Sequence, residues 1–424
     1  MARSITRRSF LKRGAVLAGA AAAGRLADLR PVVYAQTTAP MRIGFLADIT
    51  GTVAASGKDM LDGFQLYLAE KNSVLGGRPV QLIVEDAGGV PNNALTKARK
   101  LVEQDRVHLI TAPLLASEGY AIRDYVVERN VPMLFAVSSA DDLTQRKRAP
   151  NLIRTGWSSS QPSHPFGEWV ASTLKYKRIA TIGSDYAFGY EVVGGFQRTF
   201  ELHGGEIVQK LWAPLGTPDY SPYVTQLRRD ADAVFAIPVG ADVQRFVRAY
   251  RQYGLKLPVI GGGLLTDESN LRGMASKEDA AGIITPLMWS AALSTPAAAK
   301  FVAAYNGKYE KDPSYYAETN YSSAEWVDRA VQQVGGKVDD KEAFLRALRA
   351  VQLPNAPRGP MRLDAYQNVI QNIYVRKVEV QGGRAKNTVI HTFHNVTQFW
   401  TFKPEEFLKQ PVYDRPYPPC KFCG

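Results

Sequence analysis

Hydrophobic and polar positions along most of the chain follow two periods. Short apolar runs of strand length alternate with longer segments whose apolar residues recur every three or four positions. In the first half the strand-like runs are Arg42–Ala47, Pro79–Glu85, Val107–Thr111 and Pro132–Val137. Helical spacing between them is marked by Met60, Phe64, Tyr67 and Leu68, then Leu95, Ala98 and Val102, then Ile122, Tyr125 and Val126. Strands that alternate with amphipathic helices predict a parallel sheet with right-handed crossovers.

The same pattern restarts in the middle of the chain. Strands are predicted at Arg178–Gly183, Glu206–Trp212, Ala233–Ile237 and Pro258–Gly262. The helices predicted between them are Phe188–His203, Tyr223–Arg229 and Ala241–Tyr253. Because each series is long enough for a domain of about 100–200 residues, the restart predicts an α/β protein with two lobes.

The last third of the chain is less regular. Three helices are predicted, at Thr295–Lys311, Tyr315–Val334 and Lys341–Val351, before the proline-rich stretch LPNAPRGP interrupts the pattern. After residue 360 the segments MRLDAYQ, NIYVRKVEV, TVIHTF and QFWTF predict strands. Helices appended after a second sheet, followed by more strands, predict that the chain passes between the lobes more than once.

The N-terminus has the order of an export signal. A basic start that contains Arg7 and Arg8 precedes the apolar run Gly14–Gly24, which is far shorter than the about 20 residues of a spanning helix. The arginine pair, followed by Phe10, resembles the twin-arginine signal that a receptor reads as an address. Small residues near Ala35 predict cleavage there. A membrane anchor and a disordered basic tail are the alternatives.

Removal of this segment changes the meaning of the charge. The chain has a formal net charge of +12, and residues 1–35 carry seven basic residues and one acid, which is half of that charge. The remaining basic residues are interspersed, and the one cluster is Arg146–Arg148. Nucleic-acid binding, which needs a basic stripe with aromatic platforms, is therefore not expected.

The cysteines do not indicate a metal site. Cys420 and Cys423 are the two cysteines of the chain, and a small disulfide loop suits an exported protein, although the sequence leaves the state of the pair open. A structural zinc site needs four ligands. The nearest histidines, His391 and His394, are three apart on a predicted strand and would face opposite sides.

Several segments in the same order resemble one family. They include RIGFLADITGTVAASGKDMLDGFQLYLAEKN, VPMLFAVSSADDLT, IGSDYAFGYE, KLPVIGGG and PSYYAETNYSSAEWVDRAV, within about residues 41–380. Together they resemble the leucine-binding type of periplasmic ABC-transporter solute receptor. The resemblance implies an α/β fold of two Rossmann-like lobes, the type I periplasmic binding protein, joined by a three-strand hinge.

The same resemblance implies domain limits. After the signal at 1–35, the first lobe is expected at 41–157 with 286–356, and the second at 158–285 with 357–400. A C-terminal tail fills 401–424, and the crossovers lie near 155–158, 284–287 and 355–360.

In open α/β sheets, ligands bind beyond the carboxyl ends of the strands at a topological switch point, and two facing lobes can close around a solute there. A helix that starts near Ala116 offers N–H groups that favour an anion, and the loop after the fourth strand offers Ser138 and Ser139. By resemblance, this is where the family holds a carboxylate. The candidates are Ser139, Ser117 with the amide of Ala116, and Ser138. The alternative is that these serines only cap helices.

Family members that bind α-amino acids supply carboxylates to the ligand ammonium, since a buried cation needs a partner. This chain has Ser158 and its serine neighbours where one such acid usually lies, and the glycines 261–263 where another lies. Ser56 replaces the family's aromatic residue in the first loop, and Ser56 and Ser158 are also candidate ligand contacts. Asp185 and Asp242 remain nearby, so an amino-acid ligand stays open.

The sequence adds aromatic residues near the expected cleft. Trp157, Tyr186 and Phe188 are candidates for flat apolar walls, which suit a ring-bearing ligand. Tyr190 and Trp289 share this region, and the alternative for both is ordinary packing in a helix or in the hinge core. The segment from His394 to Pro419 also resembles tails of the subgroup that takes lignin-derived aromatic acids.

These features predict a non-catalytic periplasmic receptor without a cofactor. It would capture a small organic anion, an aromatic carboxylate, and deliver it to an inner-membrane ABC permease after export by the twin-arginine translocase. The alternatives are a receptor for a branched-chain or other amino acid, or for an amide or urea, and a ligand-sensing module for a signalling partner. An enzyme is not expected, because the chain has neither a Gly-x-Ser-x-Gly elbow nor a phosphate-binding or dinucleotide-binding loop.

Overall fold

The computed structural model describes residues 39–111 and 113–423. The twin-arginine motif and the expected cleavage site near Ala35 lie outside the described residues. No helix in the described ranges has the length and apolar character to cross a membrane.

The first lobe is built on a six-stranded sheet in the order β2-β3-β1-β4-β5-β6. All neighbours are parallel except the β2–β3 hairpin. The strands are β1 (Met41–Ala47), β2 (Val74–Leu75), β3 (Arg78–Asp86), β4 (Leu109–Thr111), β5 (Met133–Phe135) and β6 (Leu152–Arg154). The helices between them are α1 (Ala54–Glu70), α2 (Pro91–Glu103) and α3 (Ala116–Glu128).

The second lobe is built on a nine-stranded sheet in the order β12-β13-β14-β11-β10-β9-β7-β8, with β15 paired to β14. Its parallel part comprises β7 (Arg178–Ser184), β8 (Glu206–Ala213), β9 (Ala233–Ile237), β10 (Val259–Gly261) and β11 (Ile284–Leu287). Its antiparallel part comprises β12 (Gln352–Ala356), β13 (Gly359–Leu363), β14 (Val369–Gln381) and β15 (Arg384–Val396). Its helices are α4 (Ser163–Trp169), α5 (Ala187–Leu202), α6 (Ser221–Gln226), α7 (Asp242–Gln252) and α8 (Glu268–Gly273).

Three further helices return to the first lobe. They are α9 (Pro296–Tyr309), α10 (Tyr315–Gln333) and α11 (Lys341–Ala350). α10 packs directly on α1, and a Cβ at Gly63 would lie 2.0 Å from the Ala317 carbonyl oxygen. Glycine is therefore required for this close approach of the two helices. The chain passes between the sheets after β6, after β11 and after α11, which gives the fold its three connections.

The proline-rich stretch follows the end of the helical pattern, as expected, and contains β12, which tolerates Pro354 because it is an edge strand. One expectation about the last third is wrong. The segment QFWTF is a turn rather than a strand, and Trp400 there adopts a left-handed φ of 52°. The turn places Phe399 against Tyr366, at a ring-centroid distance of 5.0 Å. A short helix, α12 (Pro404–Leu408), and a disulfide between Cys420 and Cys423 follow in the tail.

Candidate functional site

The strand order places one cavity between the two sheets. In the first sheet β1 lies between β3 and β4, and in the second sheet β7 lies between β8 and β9, so each sheet has a switch point. Loops that follow the strands at both switch points meet around a small, nearly filled cavity of about 10 Å³. The lining residues are Leu114, Leu115, Ala116, Val137, Ser139, Trp157, Tyr186, Phe188, Val239, Leu264, Tyr315 and Tyr316. Ligand pockets usually have about 300–1,000 Å³, so the lobes must separate or the lining side chains must move before a solute can enter.

The first lobe contributes hydrogen-bond donors to this cavity. α3 begins at Ala116, and the first N–H groups of a helix have no partner within the helix. Ser139 is buried, and its hydroxyl lies 2.9 Å from the Ser159 hydroxyl. The helix end and this hydroxyl together form a polar region that favours an anion.

A buried carboxyl group supports that helix end. Glu118 accepts a hydrogen bond of 2.9 Å from the Leu115 amide and is fully buried. Burial, and then the nearby charge of Asp48, raise the pKa of Glu118 to about 9. Glu118 is therefore neutral at pH 7, so it adds no full negative charge beside the donors of α3.

Aromatic side chains form much of the remaining lining. The Trp157 ring meets Phe188 edge to face at 5.7 Å and Tyr315 at 5.8 Å between ring centroids. Tyr186 follows β7 and lies 6.0 Å from Phe188. Such edge-to-face pairs add stability beyond the burial of their area, so these walls are firmly packed.

Tyr315 and Tyr316 line the cavity but were not among the sequence candidates. They start α10, whose N-cap Ser314 accepts a hydrogen bond from Ala317. Asp267 of the second lobe accepts a hydrogen bond of 2.9 Å from the Tyr315 amide. This bond holds the start of α10 against the cavity. Two adjacent tyrosines directly after a capping serine are the signal that identifies them, but α10 lies far from the other candidates along the chain.

Four sequence candidates are outside the lining. The Ser138 hydroxyl donates to the Leu115 carbonyl at 3.0 Å, and so it fixes the loop before α3. Ser158 is fully buried beside Trp157. Ser56 is also buried and lies close enough to Tyr316 to affect the pKa of that phenol. Ser117 is partly exposed on the first turn of α3.

The acids that kept an amino-acid ligand open are also elsewhere. Asp185 accepts a hydrogen bond from the Tyr190 hydroxyl and forms an ion pair with Arg415 at 3.2 Å. Asp242 accepts a hydrogen bond of 2.8 Å from the Gly216 amide and forms an ion pair with Arg245 at 2.7 Å. None of the described residues that line the cavity carries a charged side chain.

Two aromatic candidates belong to the core instead. Trp289 is fully buried, and its indole N–H donates a hydrogen bond of 3.0 Å to the Pro313 carbonyl. Tyr190 packs edge to face on Trp212 at 4.8 Å. Neither lines the cavity, in agreement with the alternative of ordinary packing.

A larger surface groove is less suited to a ligand. It has a volume of about 480 Å³, is open to solvent, and has charges of both signs from Arg272, Lys277, Glu310 and Lys311. It lies between α8, α9 and the β14–β15 hairpin, away from both switch points. Among residues 39–111 and 113–423, no group of three or more His, Cys, Asp or Glu side chains is arranged to hold a metal ion.

Comparison with known proteins gives the class. The profile of the periplasmic binding protein family matches residues 40–384, which is most of the chain. The chain therefore belongs to the periplasmic binding protein family. Members of this family are substrate-binding receptors of ABC transporters rather than enzymes, and they are normally exported to the periplasm. The predicted fold of two Rossmann-like lobes is confirmed.

Three relatives illustrate the range of the family. An ABC transporter substrate-binding protein from Sphaerobacter thermophilus is 33% identical, with a TM-score of 0.78 over 84% of this chain and 98% of that one. A solute-binding protein from Rhodopseudomonas palustris BisB5, in complex with 3,4-dihydroxybenzoic acid, is 28% identical, with a TM-score of 0.80 over 85% and 98%. Leu/Ile/Val-binding protein homolog 6 of Brucella melitensis is 28% identical over 83% of this chain and 91% of its own length.

Proposed function

We propose that this receptor binds a small aromatic carboxylate in the cavity between its lobes and delivers it to an inner-membrane ABC permease. The observation that carries the proposal is the composition of the cavity lining. The N-terminus of α3 and the Ser139 hydroxyl supply polar groups, and aromatic rings supply much of the remaining lining. A carboxylate would accept hydrogen bonds from these donors, and its ring would pack against the wall formed by Trp157 and Phe188.

The charge of the lining argues against an α-amino acid. A buried ammonium group is costly unless an acid or several acceptors compensate it. Asp185 and Asp242 are already occupied by arginine partners and do not line the cavity. An aromatic carboxylate needs donors alone, which this site supplies.

The relatives include proteins associated with each of the two ligand classes, aromatic acids and branched-chain amino acids. The Rhodopseudomonas palustris protein was solved with a hydroxylated benzoic acid, and the Brucella melitensis relative is named for leucine, isoleucine and valine. The aromatic lining agrees with the first ligand. A branched-chain amino acid, an amide or a urea remains the alternative that experiments must compare.

Ligand identity can be tested by thermal shift followed by calorimetry. The panel contains benzoates, cinnamates, leucine, valine and short amides. A ligand at a hundredfold excess over its Kd stabilises the folded state by about 2.7 kcal/mol, so benzoates or cinnamates should raise Tm clearly. A shift with leucine or valine and none with aromatic acids would contradict the proposal.

The Ser139→Ala variant tests the anion site. A hydrogen bond to a charged group contributes about 1.5–3 kcal/mol, so we expect at least about a tenfold loss of affinity for the carboxylate. Ser138→Ala is the matched control, because that hydroxyl is bound to the Leu115 carbonyl outside the cavity. Equal losses in both variants would mean that Ser139 only stabilises its loop.

We also infer export through the twin-arginine translocase, with cleavage after Ala35. The support is the order of charge, apolar run and small residues at the N-terminus. N-terminal sequencing of the periplasmic protein should begin at Gln36. The double variant Arg7→Lys/Arg8→Lys should leave the precursor in the cytoplasm, and normal export of that variant would reject the route.

A further inference from the structure

The indole N–H of Trp157 is the polar atom of the cavity that the proposed function leaves unused. The side chain is 2% exposed, and its Nε1 has no hydrogen-bond partner among the described residues. Nearly all buried polar groups in proteins have a partner. An exception on the wall of a binding cavity therefore points to a partner outside the protein.

The surroundings of this N–H explain why the protein supplies no acceptor. Trp157 is held between Phe188 and Tyr315 by two edge-to-face contacts. Val239 and Leu264, which the second lobe also contributes to the lining, are aliphatic. The packing fixes the indole ring, so its N–H keeps one direction regardless of what the cavity holds.

A second unpaired group lies on the same wall. Tyr316 is fully buried, and its hydroxyl lies near the hydroxyls of Ser56 and Tyr315 without a well-aligned hydrogen bond to either. Its neighbour Tyr315 continues the aromatic wall from Trp157. An indole N–H can only donate, whereas a phenol hydroxyl can donate or accept. A group that satisfies both must contain at least one acceptor.

We propose that Trp157 Nε1 donates a hydrogen bond to an oxygen substituent on the ligand's aromatic ring, and that Tyr316 Oη is the second contact of that oxygen. The receptor would then select oxygenated aromatic acids, with a hydroxyl or ether oxygen on the ring, over unsubstituted or alkylated ones. This inference rests on the proposed function, because it takes the carboxylate to lie at α3 and Ser139.

The carboxylate itself is a less suitable partner for the indole. Its oxygens are already served by the first-turn amides of α3 and by the Ser139 hydroxyl, which belong to the first lobe. Trp157 follows the first connection between the lobes, and its ring contacts Phe188 of the second lobe. A ligand with one polar group at each end would contact both sets.

Calorimetry of the wild-type receptor with size-matched acids tests the selection without any variant. The ligands are benzoate and its 3- and 4-hydroxy, 3- and 4-methoxy, and 3- and 4-methyl derivatives. A methyl group fills the space of a hydroxyl but cannot accept a hydrogen bond. We expect one hydroxy or methoxy isomer to bind at least about tenfold more tightly than its methyl counterpart. Equal affinity within every isomer pair would overturn the inference.

Trp157→Phe and Tyr316→Phe then assign the contact. Each variant keeps an aromatic ring and removes the polar atom. Trp157→Phe should reduce the affinity for the preferred oxygenated acid about tenfold and leave the affinity for its methyl counterpart nearly unchanged, so that the selectivity collapses. Tyr316→Phe should have the same effect, with a smaller loss.

Other outcomes separate the inference from the proposed function. If Trp157→Phe weakens benzoate and all its derivatives by one common factor, the indole contacts the carboxylate or only packs, and the inference fails while the proposed function stands. Unchanged affinity for every acid would mean that the N–H points at a ring face, which also rejects it. Absence of binding by all aromatic acids to the wild-type receptor would overturn the proposed function and this inference together.

Discussion

Glu118 determines the charge next to the proposed anion site. Its carboxyl group caps the first turn of α3 and lies near Asp48 and Asp86. Burial raises the pKa of Asp48 as well. The Asp48 carboxyl accepts a hydrogen bond of 2.8 Å from the Gly89 amide. The neutral form of Glu118 is thus stabilised by burial and by two neighbouring acids.

The raised pKa of Glu118 makes stability depend on pH. The unfolded chain releases this proton near pH 4.5, whereas the folded protein keeps it until about pH 9. The free energy of unfolding should therefore fall as pH rises between these values, by at most about 1.4 kcal/mol per pH unit from this group. Urea denaturation at pH 5.5, 7 and 8.5 should show a shallower fall for Glu118→Gln, which keeps the capping oxygen.

Ligand binding should respond to the same proton. Above about pH 9, ionised Glu118 would repel a bound carboxylate, so affinity should decline in the wild-type protein and much less in Glu118→Gln. Benzoate is ionised throughout this range, which removes the ligand as a cause. An identical decline in both proteins would show that Glu118 is not responsible.

At the residue scale, the sequence identified part of the cavity. Ser139, Trp157 and Phe188 follow predicted strands or the first crossover, and the structure places them on the lining. Tyr315 and Tyr316 were missed because they come from a helix about 160 residues further along the chain. Only the packing of α10 on α1 brings them to the cavity.

At the element scale, the C-terminal tail packs as part of the second lobe. Tyr413 packs in a hydrophobic cluster with Phe399 and Phe407, and its hydroxyl lies 3.0 Å from His164 Nε2. Burial, and then the charge of Arg198, lower the pKa of His164 to about 3, so this histidine is neutral. The tail therefore covers a buried imidazole that water would otherwise reach.

Removal of the Tyr413 side chain should destabilise the lobe without affecting the ligand. Truncation of a large buried aromatic residue costs about 3–5 kcal/mol, so Tyr413→Ala should lower the free energy of unfolding by about that amount. Tyr413→Phe, which removes the hydroxyl that contacts His164 and Arg198, should cost about 1 kcal/mol. Chemical denaturation measures both, and the affinity for aromatic acids should stay unchanged because Tyr413 does not line the cavity.

The turn that replaces the predicted strand QFWTF belongs to the same element. Its alternating aromatic residues have the sequence pattern of a strand. In the fold they turn inward, because Phe399 and Phe402 both pack near Phe407 of α12. Local alternation could not anticipate this, since the partner helix follows the segment in sequence.

At the scale of the whole molecule, one ionic cluster connects the lobes. Asp59 of α1 is buried. Its carboxylate accepts a hydrogen bond of 2.7 Å from Lys311 and one of 2.6 Å from the Ser314 hydroxyl, and both donors belong to the first lobe. Arg272 of α8 completes the cluster from the second lobe. Arg272 also donates a hydrogen bond of 2.7 Å to the Asp312 carbonyl. These contacts join the lobes near the cavity and favour the closed arrangement.

Loss of this bridge should weaken ligand binding from a distance. Arg272→Ala leaves Asp59 paired with Lys311, so the first lobe should keep its stability. Because closure and binding are linked and a partly exposed pair contributes about 1 kcal/mol, we expect about a fivefold loss of affinity. Arg329→Ala, which removes a pair with Glu325 inside α10, is the matched control. Equal affinity of the two variants in calorimetry would contradict the linkage.

The sequence by itself determined the order of strands and helices, the two-lobed class and the absence of acids at the expected ammonium positions. These follow from local periodicity and from residue types, which need no knowledge of distant contacts. The tertiary structure decided which side chains share the cavity and which partners occupy Asp185 and Asp242. It also decided that Trp289 is core and that Trp157 has an unpaired N–H. Such facts depend on contacts between segments far apart in the chain, and no local pattern encodes them.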